Sequence, residues 1–160
     1  MDGCFPCKEV IVFSLLILIL VLSPAVQATD TNCYLDAGTS YDIDPLLLYS
    51  IAEVESNHDP DAVNNSNGLA IGLMQIHDWW FPLLQTYHIS TSDLFDPCQN
   101  LMVGAWILKQ QISIFGNTWN SVGAYYAGTG KSDKIQRLRS NYAAKVFSVY
   151  KKYQRKQTFK

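Results

Sequence analysis

Two short segments organise this sequence, IAEVES at residues 51–56 and, a short distance downstream, GLMQI at residues 72–76. The first segment follows Asp44 and Pro45, which have the character of a helix N-cap and of a proline at the first helical position. Apolar residues then recur at helical spacing to the end of the segment. The sequence therefore predicts an amphipathic helix over about residues 44–56.

The two glutamates of the first segment fall on different faces of this predicted helix. At about 100° per residue, Glu55 lies among apolar side chains, whereas Glu53 lies on the opposite, solvated side near Tyr49. Apolar surroundings disfavour a charged carboxylate, and the partial negative charge of a helix C-terminus acts in the same direction. The pKa of Glu55 is therefore expected to be raised, as a general acid requires. The pattern also allows a side chain that reaches water from a fraying helix end.

Charge is balanced over the whole chain but segregated along it. The 160 residues, a length that suits one domain, contain 12 Lys and Arg and 14 Asp and Glu, a net charge of −2. Residues 29–130 hold eleven acids and one base, whereas residues 131–160 hold ten bases and one acid. Such segregation indicates a polyanionic partner for the basic segment, or docking of that segment on the acidic body of the same chain. A solvated helix face with a frayed basic end is the third interpretation.

The N-terminus has the pattern of a secretory signal. Residues 10–22 form an apolar run of 13 residues, which is too short to span a bilayer comfortably. Small residues at Val26 and Ala28 suit a signal peptidase. We expect residues 1–28 to be a signal peptide that is cleaved after Ala28. An uncleaved membrane anchor is the alternative.

The cysteines divide into two pairs. Cys4 and Cys7 belong to the predicted signal and would leave with it. Cys33 and Cys98 remain, and an even pair in an oxidising compartment predicts a disulfide. Closing a loop of about 65 residues would stabilise the fold by roughly 4 kcal/mol. Two buried free thiols are the alternative.

Four more helices are predicted after the first, and no run of residues makes a convincing strand. They cover about residues 80–87, 97–115, 119–126 and 133–152. Residues 29–43 are expected to be a polar lead-in. We predict an all-α fold (α+β at most) with a minor β-turn element near residues 62–76. The domain is expected to cover residues 29–150, followed by a basic C-terminal tail at 151–160.

Several motifs stand in a fixed order along the chain. They are Glu55-Ser56, Pro60, Gly68, Gly72 to Ile76, Asp96-Pro97, Asn100, Gly104 and Ala124 to Gly128. Together they resemble the soluble lytic transglycosylase domain, in particular its short branch associated with secretion systems and invasion. The resemblance covers about residues 33–150 and implies a small lysozyme-like fold. The predicted signal peptide implies that the protein is exported to the periplasm. The resemblance implies an enzyme that cleaves the β-1,4 bond between N-acetylmuramic acid (MurNAc) and N-acetylglucosamine (GlcNAc) in peptidoglycan without water, leaves a 1,6-anhydro ring, and opens the wall locally for a secretion system.

The resemblance also implies roles for single residues. Glu55 matches the catalytic acid and base of the family, with Ser56 beside it in the motif. Met74 and Gln75 match residues that line the site, the glutamine contacting the sugar. Tyr125 matches a tyrosine that hydrogen-bonds the catalytic carboxylate. Tyr126 is a departure, because many relatives have asparagine there.

Glycine and tryptophan side chains provide further candidates. Gly72 would allow the backbone to approach the sugar closely, or would be a plain turn glycine. The aromatic cluster at residues 79–81 is expected to give one ring to the substrate, and we select Trp80; the others are expected in the core. Trp106 and Trp119 are also assigned to the core.

Two other functions remain open. Asp59 or Asp61 could serve as the second carboxylate of a hydrolytic lysozyme, which needs a base for water. A wall-binding accessory or scaffold protein of the secretion apparatus would use the groove without cleavage. His58, His77 and His88 lack metal-binding spacing, so we predict no metal and no cofactor. The expected partners are peptidoglycan and, through the basic C-terminal region, secretion-system components; we expect a monomer that binds no nucleic acid.

Overall fold

The computed structural model describes residues 29–158, which form six helices and one small sheet. The helices are α1 (Thr29–Tyr41), α2 (Pro45–Ser56), α3 (Phe81–Thr86), α4 (Pro97–Phe115), α5 (Trp119–Ala127) and α6 (Asp133–Thr158). The strands are β1 (Val63–Asn64), β2 (Ala70–Ile71) and β3 (Ile76–His77), with single 3₁₀ turns at Asp78–Trp80 and Ser92–Phe95. The predicted signal peptide and its two cysteines lie outside the described residues. None of the described helices is both long and apolar enough to cross a membrane.

The two predicted helix starts are confirmed in atomic detail. The Asp44 carboxylate accepts a hydrogen bond from the Leu46 amide at 2.8 Å, and the Asp96 carboxylate accepts one from the Gln99 amide at 2.7 Å. A proline follows each aspartate at the first helical position. The α4 helix then ends at Gly116, as predicted.

The lead-in and the C-terminal end differ from prediction. Residues 29–41 are not an irregular lead-in but the helix α1, in which Tyr34 and Ala37 are buried. The predicted disulfide is confirmed and joins Cys33 of α1 to Cys98 of α4. At the other end, α6 continues to Thr158, so most of the segment predicted as a tail is helical.

The core forms around α4, whose buried side chains contact both α1 and α5. Helix α6 packs against α5 and α2. Leu48, Ile51, Leu101, Leu108 and Val146 from α2, α4 and α6 are fully buried. This helical core confirms the predicted fold class.

The loop between α2 and α3 contains the predicted β element. Its three strands are antiparallel in the order β1-β2-β3, with Val63 opposite Ile71 and Ala70 opposite His77. The GLMQI segment passes from the turn between β2 and β3 into β3. The sheet therefore holds this segment next to the C-terminal end of α2.

The buried side chain of Asn100 fixes the GLMQI segment to α4. Its amide nitrogen donates hydrogen bonds to the carbonyl oxygens of Ile71 at 2.9 Å and Leu94 at 2.8 Å. Its amide oxygen accepts a hydrogen bond from the Met74 amide at 2.8 Å. All three bonds are buried, and buried polar groups that are fully paired hold a unique geometry.

Candidate active site

Glu55 lies at the C-terminal end of α2 and lines a groove of about 380 Å³. The three-stranded sheet and the segment that follows it contribute one set of lining residues, and α5 and α6 contribute another. Glu55 is the only carboxylate among the described residues that line this groove. The sequence pattern placed Glu55 on the buried face of α2, and the structure agrees.

The surroundings of Glu55 favour its neutral form. Burial raises the pKa of Glu55 from 4.5 to about 7, although a hydrogen bond from Tyr142 and the positive charge of Lys145 act in the opposite direction. The Tyr142 hydroxyl donates to Oε1 of Glu55 at 2.5 Å. Near neutral pH a substantial fraction of Glu55 therefore carries a proton, as a general acid requires.

The tyrosine that contacts Glu55 is not the one expected. The Tyr125 hydroxyl donates instead to the Met74 carbonyl oxygen at 2.7 Å, and Tyr142 of α6 makes the bond to Glu55. Burial and the charge of Glu55 raise the pKa of both tyrosines well above the ordinary value of 10.0. Both phenols therefore remain neutral donors. The half-exposed Tyr126 ring is stacked on Tyr142 with the ring centroids 5.0 Å apart.

The Met and Gln of the GLMQI segment have different environments. Met74 is fully buried and does not line the groove. Its side chain packs on Gly104, where an added Cβ would lie 2.7 Å from Cγ of Met74. Gln75 does line the groove, and its amide nitrogen donates to the carbonyl oxygens of Gly72 at 3.0 Å and Ala62 at 3.2 Å. No described residue donates a hydrogen bond to the amide oxygen of Gln75, so this oxygen can accept one from a ligand.

Ser56 and Gly72 support the site rather than face it. The Ser56 hydroxyl donates to the Leu73 carbonyl oxygen at 2.9 Å, which ties the end of α2 to the GLMQI segment. Gly72 is buried with φ +76°, and an added Cβ would clash with Asn100 and lie 2.6 Å from the Leu94 carbonyl oxygen. The close approach at Gly72 is therefore to α4 and to the turn before it, not to a ligand in the groove.

Two tryptophans line the groove, one more than expected. Trp80 is partly buried and meets Trp106 edge to face, with centroids 5.4 Å apart. Trp79 is 62% exposed and stacks on His77 at a centroid distance of 3.5 Å. Trp119 is not the core residue that was predicted: it begins α5, is 37% exposed and packs against Phe147 of α6.

No described residue supplies a second carboxylate to the groove. Asp59 and Asp61 are both exposed and do not line it. The Asp59 carboxylate instead accepts a hydrogen bond from the Asp61 amide at 2.9 Å, which stabilises the loop after α2. Within residues 29–158 there is also no cluster of three or more His, Cys, Asp or Glu side chains that could hold a metal ion.

Glu53 is not solvated as the helical pattern predicted. Lys152 of α6 donates to its carboxylate at 3.0 Å, Tyr153 donates to the other oxygen, and His58 lies 3.7 Å away. Partial burial opposes ionisation, but the hydrogen bonds from Tyr153 and Lys152 outweigh it and lower the pKa of Glu53. Lys152 thus docks part of the basic segment on the acidic body, one of the arrangements that the charge pattern indicated.

Sequence reasoning missed the part of the site that α6 contributes. Tyr142 lies in the helix predicted over residues 133–152, but its contact with Glu55 was not predicted, because no local signal joins residues 87 positions apart. The aromatic character of Trp79 was noted, but its exposure could not be read from the sequence.

The fold and groove together define a lysozyme-like glycan-cleaving class of protein, with one protonatable carboxylate at the centre of the site.

Comparison with known proteins identifies the family. The family model described as Transglycosylase SLT domain matches residues 32–148, most of the chain. The protein belongs to this family and is a peptidoglycan lytic transglycosylase, as the resemblance implied.

Two curated proteins and one solved structure are similar to this chain. Invasion protein IagB of Salmonella typhimurium strain SL1344 is 37% identical over 138 residues, which are 84% of this chain and 85% of that protein. Protein IpgF of Shigella flexneri is 37% identical over 122 residues, which are 74% of this chain and 79% of that protein. The fold is similar to that of an inactive mutant of lytic transglycosylase Slt from Pseudomonas aeruginosa, with a TM-score of 0.65 at 22% identity. That similarity covers 83% of this chain and only 25% of the Slt chain.

Proposed function

We propose that the enzyme cleaves the MurNAc-β-1,4-GlcNAc bond with Glu55 as both acid and base and releases a 1,6-anhydromuramyl product. The observation that carries this proposal is the single protonatable carboxylate of the groove. A two-carboxylate glycosidase places a second acid within about 5–9.5 Å of the first to serve as nucleophile or as base for water. Among the described residues the groove offers none, which supports a nucleophile that comes from the substrate.

The proposed reaction uses Glu55 twice. The protonated carboxyl first gives its proton to the glycosidic oxygen as the bond to C1 of the muramyl ring breaks. The resulting carboxylate then takes the proton of the muramyl C6 hydroxyl while O6 bonds to C1, which closes the anhydro ring and restores the acid. Tyr142 stabilises the intermediate carboxylate by donating to it. Gln75 and the rings of Trp79 and Trp80 hold the sugars in the groove.

The cellular role belongs to the same proposal. A predicted signal peptide at residues 1–28, the Cys33–Cys98 disulfide and a peptidoglycan substrate together support a periplasmic enzyme. One similar protein is named an invasion protein, which supports local opening of the wall for a secretion system. The exposed side chains of Arg155 and Lys156 at the end of α6 would contact components of that system, and we propose that the enzyme acts as a monomer.

Mass spectrometry of the muropeptides released from purified sacculi tests the reaction, with Glu55→Gln alongside the mature protein. Anhydromuramyl products from the wild type alone support the proposal. Reducing-end products would mean that water is the nucleophile and that the enzyme is a hydrolytic lysozyme. Absence of products from both proteins, with binding to sacculi retained, would instead support the wall-binding accessory function.

A further inference from the structure

A second hollow of about 490 Å³ adjoins the groove at Glu55. Glu55, Tyr126 and Leu138 line both spaces, so a ligand that reaches Glu55 through the groove also meets the second hollow. The stacked pair Tyr126 and Tyr142 stands at their boundary. The remaining wall is formed largely by one face of α6.

Two polar side chains of α6 line this second hollow without a protein partner. Asn141 and Lys145 are four residues apart, so they are neighbours on the helix surface, and both are exposed. Neither forms a hydrogen bond or an ion pair with any residue that the structure describes. By contrast, Lys151 and Lys152 of the same helix are engaged with Gln154 and Glu53 respectively.

The positive charge of Lys145 opposes the acid step of the reaction unless an anion neutralises it. Its positive charge lowers the pKa of Glu55, which opposes the protonated form that the acid step needs. Tyr142 acts in the same direction, and Tyr125 of α5 stays neutral because burial and the charge of Glu55 raise its pKa. The Tyr126 ring lines both spaces beside them. An anion bound to Lys145 would neutralise its charge and remove this opposition.

The substrate supplies such an anion close to the scissile bond. The glycan strand itself is uncharged, but each complete muramyl residue carries, through the lactyl ether at C3, a peptide stem with free carboxylates. Lys145 is the only Lys or Arg among the described residues that line either hollow. A bound muramyl residue at Glu55 would therefore find one cation for its stem, on the α6 side.

We propose that Lys145 and Asn141 form a subsite for a carboxylate of the muramyl peptide stem, which makes the enzyme selective for strands that retain their stems. This inference rests on the proposed function, because it assumes that the muramyl ring adjoins Glu55. In the subsite the Lys145 ammonium pairs with the carboxylate, and the Asn141 amide donates a hydrogen bond to the same group or to the adjoining peptide. The subsite would thus determine substrate choice rather than perform chemistry.

Binding tests the subsite without the reaction. The Glu55→Gln protein and the same protein with Lys145→Gln are titrated against stem-bearing glycan strands and against strands stripped of their stems by an amidase. We expect Lys145→Gln to weaken binding to stem-bearing strands by about tenfold, the scale of a charge-assisted hydrogen bond, and to leave binding to stripped strands unchanged. Lys151→Gln, on another face of α6, is the matched control and should bind both strands as the parent does.

Kinetics with active proteins give the second readout. Lys145→Gln should raise KM on stem-bearing strands and leave KM on stripped strands unchanged, whereas loss of the Lys145 charge beside Glu55 should appear in the pH profile of kcat on stripped strands. An equal change in KM on both substrates, or a changed pH profile without any change in KM, would overturn the proposal and assign Lys145 an electrostatic effect on Glu55 only. Unchanged binding to both strands would also overturn it. Because binding is measured in the inactive Glu55→Gln protein, the binding result can be interpreted even if the proposed reaction is wrong.

Discussion

The pKa values of the two glutamates of α2 are shifted in opposite directions although the residues are two positions apart. A tyrosine of α6 donates to each of them, Tyr153 to Glu53 and Tyr142 to Glu55. Glu53 also has a lysine, Lys152, at 3.0 Å, and its pKa is lowered. Glu55 has no lysine at that distance within residues 29–158, and burial raises its pKa to about 7.

The comparison shows which contact decides the protonation state. Both carboxylates accept a phenol hydrogen bond, so the tyrosines do not separate them. Their pKa values differ because Glu53 contacts an ammonium group directly and Glu55 is more strongly desolvated. One face of α2 is thus a structural anchor for α6, whereas the other presents an acid to the groove.

The largest expected difference is in activity. Glu55→Gln should reduce muropeptide release by about 10³-fold or more, on the scale of a lost general acid and base, because an amide can neither give nor take the proton. Glu53→Gln should retain most activity, since Glu53 does not line the groove. Initial rates on sacculi measure both, with circular dichroism to confirm folding. An equal loss of activity in the two variants, with both folded, would refute the assignment of Glu55 to the groove face of α2 and Glu53 to the opposite face.

Substitution of the two glutamates should change the free energy of unfolding at pH 8 in opposite directions. The folded-state pKa of Glu55 lies above its ordinary value of 4.5, so the folded protein binds more protons and loses stability as pH rises from about 4.5 to 7. Glu55→Gln removes this penalty and should raise the free energy of unfolding at pH 8, by at most about 3 kcal/mol, with little effect at pH 4.

Glu53 is the matched control for this measurement. Its pKa is lowered, so its stabilising contribution is present above pH 4.5 and is lost as pH falls through the folded pKa. Glu53→Gln should therefore lower stability at pH 8, by less than about 1 kcal/mol because the lysine is exposed. Urea unfolding at pH 4 and pH 8 gives both values. Stabilisation by Glu53→Gln at pH 8, or none by Glu55→Gln, would contradict the comparison.

The smallest expected effect concerns the two tyrosines. Tyr142→Phe removes a hydrogen bond that favours ionised Glu55, so the pKa of Glu55 should rise by about one unit, the scale of a hydrogen bond to a charged group. The alkaline limb of kcat/KM against pH should move upward by the same amount. Tyr153→Phe should leave that limb in place. A limb that does not move in Tyr142→Phe would mean that another group controls it.

Local signals were enough to predict the helices that begin with Asp-Pro. The Asp44 and Asp96 caps, and the terminating Gly116, all act within a few residues, so the sequence shows them directly. Helix α1 has no comparable signal: its sequence is polar, and packing of Ala37 together with the Cys33 disulfide holds it against α4. Tertiary contacts of that kind override weak propensity.

The same limit applies to the site. The position of Glu55 on its helix follows from local periodicity, and so does its raised pKa. Its phenol donor could not be predicted, because Tyr142 lies 87 residues away. The partners of Glu53 on α6 are 99 and 100 residues away, so the pattern showed a solvated residue where the fold makes a paired one.

The long sequence separation between Glu55 and Tyr142 also determines at which stage of folding the active site is complete. Ribosomes add residues from the N-terminus, and contacts between distant residues form late because their loops are slow to close. Helix α6 follows every other described element, so a nascent chain that stops before residue 142 holds the acid without its partner or the α6 wall of the groove. Competence to cut the wall therefore depends on residues of α6, and a chain that lacks this helix would lack one side of the active site.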